Sequence, residues 1–465
     1  MPGATRRVVF LLVSCFLVLF LALSGVGNGV SEPLPTDVQG PDETPFSPSI
    51  NGIWYLGWTR DAYNSSTIPE ELMRLKTELA VNYVGIVVPL YQDSLTSTDP
   101  HPDPNRTPSL ATLAYVTEQA HEYELEVVLL PYLRVDSQRE FEGVTLGNWV
   151  GDLEPDDVGT WFDSWRVILR DCAAFAEKHD VEILLLGWEF ESMLTHHDEW
   201  QRTIAQLRDL YSGKLSYLTN WWADRDEYAR VLSWTPWLSL DFIGVSAYFE
   251  LTRNNDPTFE ELEQAWYEDA NHQNIVADLK TLSAQHGKPI VFWELGYQSK
   301  DGTNKAPWNF VRQAAPDEGE QADAFAAAFQ VLGNRPWFAG QVIWGEDVGL
   351  RKARRSYTVL NKKAATILNP RLPNIEDKVG VTFYEVAGTT VGMFTNATEA
   401  TVDGFYIEFD REVTIVRIIE FGGYLPMFGE RTGTTFNFGK GELIGGGMVE
   451  LDWKPADARP VFFRW

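Results

Sequence analysis

Glu182-Ile-Leu-Leu-Leu-Gly-Trp-Glu-Phe190 and Pro289-Ile-Val-Phe-Trp-Glu-Leu-Gly-Tyr297 each drive a near-continuous apolar run into a single glutamate. Runs that are apolar on both faces and bounded by turn residues read as strands of a parallel sheet covered by helices. A carboxylate at the end of such a run is costly to bury without a partner, so Glu189 and Glu294 point to one site that needs both. Six further runs share the pattern, at 52–58, 83–91, 126–135, 214–221, 240–249 and 338–344. Between the runs, the stretches 69–80, 110–123, 158–178, 199–210, 259–285 and 320–332 carry apolar residues at spacings of three and four, the period of an amphipathic helix. Eight strand–helix units over about 320 residues fit a closed (β/α)8 TIM barrel. Function on such a barrel sits where strands end, and Glu189 and Glu294 fall at the ends of the fourth and seventh strands.

The chain carries 66 acidic against 38 basic residues, a net charge of -28, which opposes binding to nucleic acid or anionic lipid through the bulk field. A neutral substrate is indifferent to that field. Eighteen Trp and seventeen Tyr exceed ordinary core filling, and their flat faces suit the C–H faces of pyranose rings. One glutamate at a strand end is more often a helix cap or an ion-pair partner. Two apposed carboxylates are the minimal equipment for cleaving a glycosidic bond, one exchanging a proton while the other attacks the anomeric carbon. The chain therefore reads first as a glycoside hydrolase acting on an oligo- or polysaccharide.

At 465 residues the chain exceeds one ordinary domain. Arg6 and Arg7 precede an apolar run from Val8 to Leu23, with small residues from Ser24 to Gly29, the layout of a secretory signal. Residues 1–30 thus read as a cleaved signal or as a retained N-terminal membrane tether, and the protein as extracellular or cell-surface. Residues 31–49, rich in Pro, Asp, Glu and Ser, read as a linker, 50–370 as the barrel, and 371–465 as a β-rich accessory domain resembling a small β-sandwich. Without the first 30 residues only Cys172 remains, so no intrachain disulfide forms and this thiol is expected to be buried filling. The seven His show no metal-ligand spacing, and neither a metal nor another cofactor is expected.

Several stretches, in order along the barrel, resemble the β-mannanases of glycoside hydrolase family 113 in clan A. They are Val88-Pro89-Leu90-Tyr91-Gln92-Asp93, Thr107-Pro108-Ser109, Asn148-Trp149-Val150-Gly151, Gly187-Trp188-Glu189-Phe190, Asn220-Trp221, Asp241 through Phe249, and Glu294 through Ser299 followed by Pro307-Trp308. The resemblance implies a retaining mechanism with Glu189 as general acid/base and Glu294 as nucleophile, their carboxyl groups about 5 to 5.5 Å apart. It implies a sugar-floor role for Trp344, an orienting hydrogen bond from Tyr248 to Glu294, and sugar contacts from Asn220 and Trp221. Trp58, Tyr91, Tyr297 and Trp308 are further aromatic candidates for substrate binding. The third strand departs from the family, reading Leu130-Pro131-Tyr132-Leu133-Arg134 where a Lys-Pro-His type of run is usual. Trp188 stands where many clan A enzymes carry an Asn. Glu191, Glu346 and Asp347 read as solvated loop acids. Two alternatives stand beside β-1,4-mannan hydrolysis: an exo-β-glycosidase or transglycosylase on another β-glycan, and a non-catalytic carbohydrate-binding surface protein.

Overall fold

The computed structural model describes residues 49–350 and 356–369, and beyond them the backbone of strands between Val379 and Arg464. Residues 1–48, which cover the expected signal or tether and nearly all of the expected linker, lie outside the described residues. The barrel runs β1 (Ile50–Leu56), α1 (Ile68–Leu79), β2 (Tyr83–Gln92), α2 (Leu110–Glu122), β3 (Glu126–Val135), a hairpin of β4 (Gln138–Phe141) and β5 (Val144–Gly147), then α3 (Val158–Lys178), β6 (Ile183–Trp188) and α4 (His197–Arg208). It continues through β7 (Lys214–Asn220), α5 (Arg225–Leu232), β8 (Phe242–Ser246), α6 (Phe259–Ala265), α7 (Ile275–His286), β9 (Ile290–Leu295), α8 (Glu318–Leu332), β10 (Phe338–Asp347) and α9 (Lys363–Leu368). Eight strands close in the order β1-β10-β9-β8-β7-β6-β3-β2, all pairs parallel.

Two apolar layers follow from strands that are apolar on both faces. Inside the barrel, Trp54, Val87, Leu130, Leu185, Leu218, Val291, Trp293 and Val342 fill the interior. Trp54 donates to the Trp293 carbonyl, and the Trp293 indole donates to Ser216 Oγ at 2.8 Å, so both buried N–H groups are satisfied. Outside, the helices bury Leu72, Val116, Trp165, Ile204, Leu279 and Phe325 against the strands. Asp157, Asp224, Asn274 and Asp317 cap the starts of α3, α5, α7 and α8 with side-chain oxygens.

Two expectations change. The stretch 259–285 is two helices, because after Trp266 the chain turns through Asp269, whose carboxylate accepts from the Asn271 and Gln273 backbones before Asn274 starts α7. The β4–β5 hairpin and the short helix α5 carry no strong apolar period and escape sequence reading. After the barrel, the described strands Val379–Val386, Thr389–Asn396, Val402–Asp403, Tyr406–Tyr424, Arg431–Asn437, Glu442–Lys454 and Pro460–Arg464 pair antiparallel within one seven-stranded sheet, and two facing layers are not among the described features. Among the described residues, no helix is long and apolar enough to cross a membrane.

Candidate active site

Both glutamates stand at the C-terminal mouth of the barrel and are largely buried, Glu189 at 8% exposure and Glu294 at 4%. β6 stops at Trp188, and Glu189 turns away with φ +51, a left-handed conformation costly for a residue with a side chain. The surroundings hold it there. The Phe190 ring enters a cage of Trp161, Trp165, Trp200 and Tyr217, with ring centroids 5.3–6.4 Å away. Its backbone N–H donates to the Tyr217 hydroxyl at 2.8 Å. Gly187, at φ +150, is required beside it, since a Cβ there would lie 2.5 Å from the Phe190 ring. Glu189 N–H donates to the Leu218 carbonyl at 2.7 Å, fixing the turn to β7.

Glu294 sits within strand β9, and the Ala247 N–H on the β8 side donates to its carbonyl at 2.7 Å. The Tyr248 hydroxyl donates to Glu294 Oε2 at 2.9 Å, while the Trp149 indole donates to Glu189 Oε2 at 2.8 Å. Ser246, fully buried at the end of β8, faces both carboxylates and eases the charge on each, although its hydroxyl forms a well-aligned bond with neither. Ser246 Oγ and Glu294 Oε1 are thus buried polar atoms without a partner. Such atoms cost about 1–3 kcal/mol each, and at this mouth they are positioned to meet a reacting group. Register shifts in the β6–β7, β8–β9 and β9–β10 pairings fall near these residues, where irregular pairing re-aims side chains.

Burial pushes both carboxyls above the ordinary carboxylate range. For Glu189 the burial is opposed by Ser246 and Trp149. For Glu294, which moves well up, the charge of Glu189 adds to burial, and Tyr248 and Ser246 oppose. Two acids this coupled share their protons, so the shifts belong to the pair.

Rings complete the mouth. Tyr132, from the divergent third strand, stacks on Trp188 at 4.1 Å and 8°, meets Trp344 at 5.9 Å, and meets the edge of Trp58 at 5.5 Å. Burial and both glutamates hold its phenol well above its ordinary value, so it stays a neutral donor. Trp344 is half-buried on β10, and the Trp58 indole donates to Asp347 at 3.3 Å. Asn220 and Trp221 stand half-buried at the end of β7, with Trp221 6.2 Å from Phe249. Tyr132 and Trp149 were not among the expected site residues, and both belong to stretches whose sequence stood out.

Four expectations are corrected. Tyr297 is fully buried, edge-on to Phe325 at 5.2 Å, and offers no face to a sugar. Tyr91 is buried, and the Arg106 guanidinium covers its ring at 3.6 Å. Glu191 is not a solvated acid, because its carboxylate accepts from Thr219 Oγ1 at 3.0 Å and Asn220 N–H at 2.8 Å and burial pushes it up to about 7. Glu346 is buried, accepting from the Val359 and Leu360 backbones at 2.7 and 2.8 Å, whereas Glu191 is half-buried. Trp308 lies on the outer rim, 37% exposed, its indole donating to Glu250 at 3.1 Å.

A cavity of about 480 Å3 lined by Tyr83, Glu126, Glu182, Lys214 and Phe242 opens at the opposite mouth, where strands begin. On a barrel of this type that face carries stability rather than chemistry. Among the described residues, no group of three or more His, Cys, Asp or Glu is arranged to hold a metal ion. Cys172 is half-buried on α3, its thiol pushed up to about 12 by burial.

The model of Glycoside Hydrolase Family 113 matches residues 53–359, which span every barrel strand from β1 to β10. The chain belongs to glycoside hydrolase family 113. Among solved structures, a GH113 β-1,4-mannanase in complex is 21% identical to this hydrolase, with 69% of this chain and 97% of that chain covered and a TM-score of 0.58. The GH113 β-mannanase from Alicyclobacillus acidocaldarius in complex with ManMIm is 23% identical, covering 69% of this chain and 95% of that one, also at 0.58. These structures share the fold of the hydrolase. No curated protein matches its sequence.

Proposed function

We propose that this glycoside hydrolase is an exported retaining enzyme that cleaves β-1,4-mannosidic bonds in mannan or manno-oligosaccharides. One observation carries the reading: two buried glutamates at one mouth of a family 113 barrel, each with a dedicated donor, Trp149 for Glu189 and Tyr248 for Glu294. Glu294 attacks the anomeric carbon through its unpartnered Oε1, forming a covalent glycosyl-enzyme as the glycosidic C–O bond breaks. Glu189 gives its proton to the departing oxygen, then takes one from the water that releases the sugar. The reading needs the pair's one proton on Glu189 and the charge on Glu294; the Tyr248 donor favours that charge, while burial and the neighbouring Glu189 push Glu294 upward and the Trp149 donor favours charge on Glu189. That the structural neighbours are β-mannanases supports mannose as the sugar.

Trp344, Trp58 and Tyr132 supply ring faces for the sugar, and Asn220 and Trp221 line the β7 side. Residues 1–30 direct export and are then cleaved or kept as a tether, 31–49 are a linker, and 371–465 form an accessory domain, a small β-sandwich with a packing or spacer role. The test is turnover of mannohexaose, cellohexaose and xylohexaose by the chain lacking residues 1–30, with Glu294→Ala as control. Selective cleavage of mannohexaose, lost in the variant, supports the reading. Equal or greater turnover of another β-glycan moves the substrate, and binding without turnover of any moves the chain to the binding class.

A further inference from the structure

The β4–β5 hairpin leaves the barrel at the end of β3 and does not pack down on the loops beside it. Of its eight strand residues, only Phe141 and Leu146 are even half-buried. Its tip turns at Glu142 and Gly143, both at positive φ, as a tight hairpin requires. That tip is seated on the loop that follows β9. Asn309, itself buried, donates from Nδ2 to Glu142 Oε1 at 2.9 Å, and Phe141 meets the Trp308 ring at 5.9 Å.

β3 and β9 lie four places apart in the closed eight-strand order, on opposite sides of the barrel. The six residues from Asp136 to Phe141 extend about 20 Å at 3.3 Å per residue, enough to cross a barrel whose interior eight strands only just leave room to fill. The root is fixed as well. Ser137 N–H donates to the Asp93 carbonyl at 2.8 Å, Asn148 N–H to the Ser137 carbonyl at 2.9 Å, and Arg106 pairs bidentately with Asp136. The residue after Asn148 is Trp149, the donor to Glu189.

We propose that this hairpin is a strap across the mouth of the site, and that a glycan reaches Glu189 and Glu294 by threading an unbranched end beneath it. Its consequence is selectivity for linear chains and short oligosaccharides over the interior of side-branched polymers such as galactomannan. A branch sugar on the threaded segment would meet the strap from below. This rests on the β-mannan reading above, so the two must fail differently.

The experiment compares the parent with a Phe141→Ala/Asn309→Ala variant, which unseats the tip, and with a variant whose residues 139–146 are replaced by Asn-Gly. The paired residues Gln138 and Gly147 then flank a two-residue turn. Turnover of mannohexaose and of galactomannan is measured for each, with thermal unfolding as a check on folding. The expected result is mannohexaose kcat/KM within about threefold of the parent and a galactomannan-to-hexaose ratio raised about tenfold or more. An unchanged ratio in the unseated variant overturns the strap, even where the shortened variant loses activity through Trp149. A parent that turns over no mannan overturns the substrate reading instead. The bridge is then read by hydrogen exchange without any substrate. Exchange at residues 138–147 and 306–312 should rise together in the unseated variant, and a rise confined to the hairpin contradicts the proposal.

Discussion

The ends of β6 and β9 hold a glutamate in opposite ways. At β9 the carboxylate belongs to a strand that continues past it, although its pairing shifts register there, and the Tyr248 hydroxyl beyond the neighbouring β8 end donates to it. At β6 the strand has already stopped, and Glu189 sits in a left-handed turn that exists because Gly187 admits the Phe190 ring and four other rings lock it. In the proposed retaining mechanism, the first arrangement fixes the group that must reach a defined carbon atom. The second stands outside the sheet and adds a donor from a distant loop, Trp149, which suits a group that must meet both a leaving oxygen and a water. Aim is thus supplied locally at β9 and by packing at β6.

The comparison predicts a hierarchy of effects. Removal of either carboxylate is largest: Glu294→Ala and Glu189→Ala should each lower kcat on mannohexaose by about a hundred- to ten-thousandfold, with stability unchanged or improved as a buried acid is lost. Phe190→Ala should be the variant that damages fold and activity together. Its cavity costs about 3–5 kcal/mol by chemical denaturation, and kcat should fall because the Glu189 turn loses its anchor. Retention of full kcat after that loss of stability would show that the cage does not position Glu189.

Tyr248→Phe should leave the fold intact and act on chemistry alone. A hydrogen bond to a charged acceptor contributes about 1.5–3 kcal/mol, which reads as a roughly ten- to hundredfold loss of kcat. Losing this donor destabilises charged Glu294 and raises its pKa, so the acid limb of the kcat/KM profile should move to higher pH. Trp149→Phe removes a donor from Glu189, raising that pKa, so there the basic limb should move up with a smaller loss of rate. A shift of the same limb in both variants would break the distinction between the two ends.

Glu191→Gln should have the smallest effect, on stability alone. Burial raises this carboxyl from 4.5 to about 7, so the folded state keeps a proton that the unfolded chain loses near 4.5. Stability therefore falls as pH rises through that interval. The variant should flatten the pH dependence of Tm there by one proton's worth, and an unchanged slope would mean that the protons taken up on folding bind elsewhere.

Much of this was legible in the chain because period and burial agree. Strands apolar on both faces mark themselves, and each of the eight runs overlaps a barrel strand, with ends shifted by a few residues. Glu189 and Glu294 could be located because each ends an apolar run with a carboxylate, and Tyr248 through the family resemblance of the stretch that carries it. The hairpin could not, since a segment solvated on both faces leaves no alternation, and only Glu142-Gly143 signals a turn. Trp149 was hidden for another reason: it acts from a loop, forty residues before the acid that it touches. Tyr91 and Tyr297 misled because an aromatic near a barrel rim looks the same in sequence whether it faces a cleft or the helices. Glu191 and Glu346 misled because the backbone donors that hold their carboxylates are not displayed in sequence.

The assignment of roles to the two strand ends is tested most directly by azide and the configuration of the product. Glu294→Ala and Glu189→Ala are each supplied with an activated aryl β-mannoside and azide, and the glycosyl azide is identified by NMR. The account predicts the inverted α-mannosyl azide from Glu294→Ala, where azide replaces the missing nucleophile. From Glu189→Ala it predicts the retained β-mannosyl azide, where azide replaces water at the glycosyl-enzyme. The reverse pattern, or inversion from both, would contradict the account.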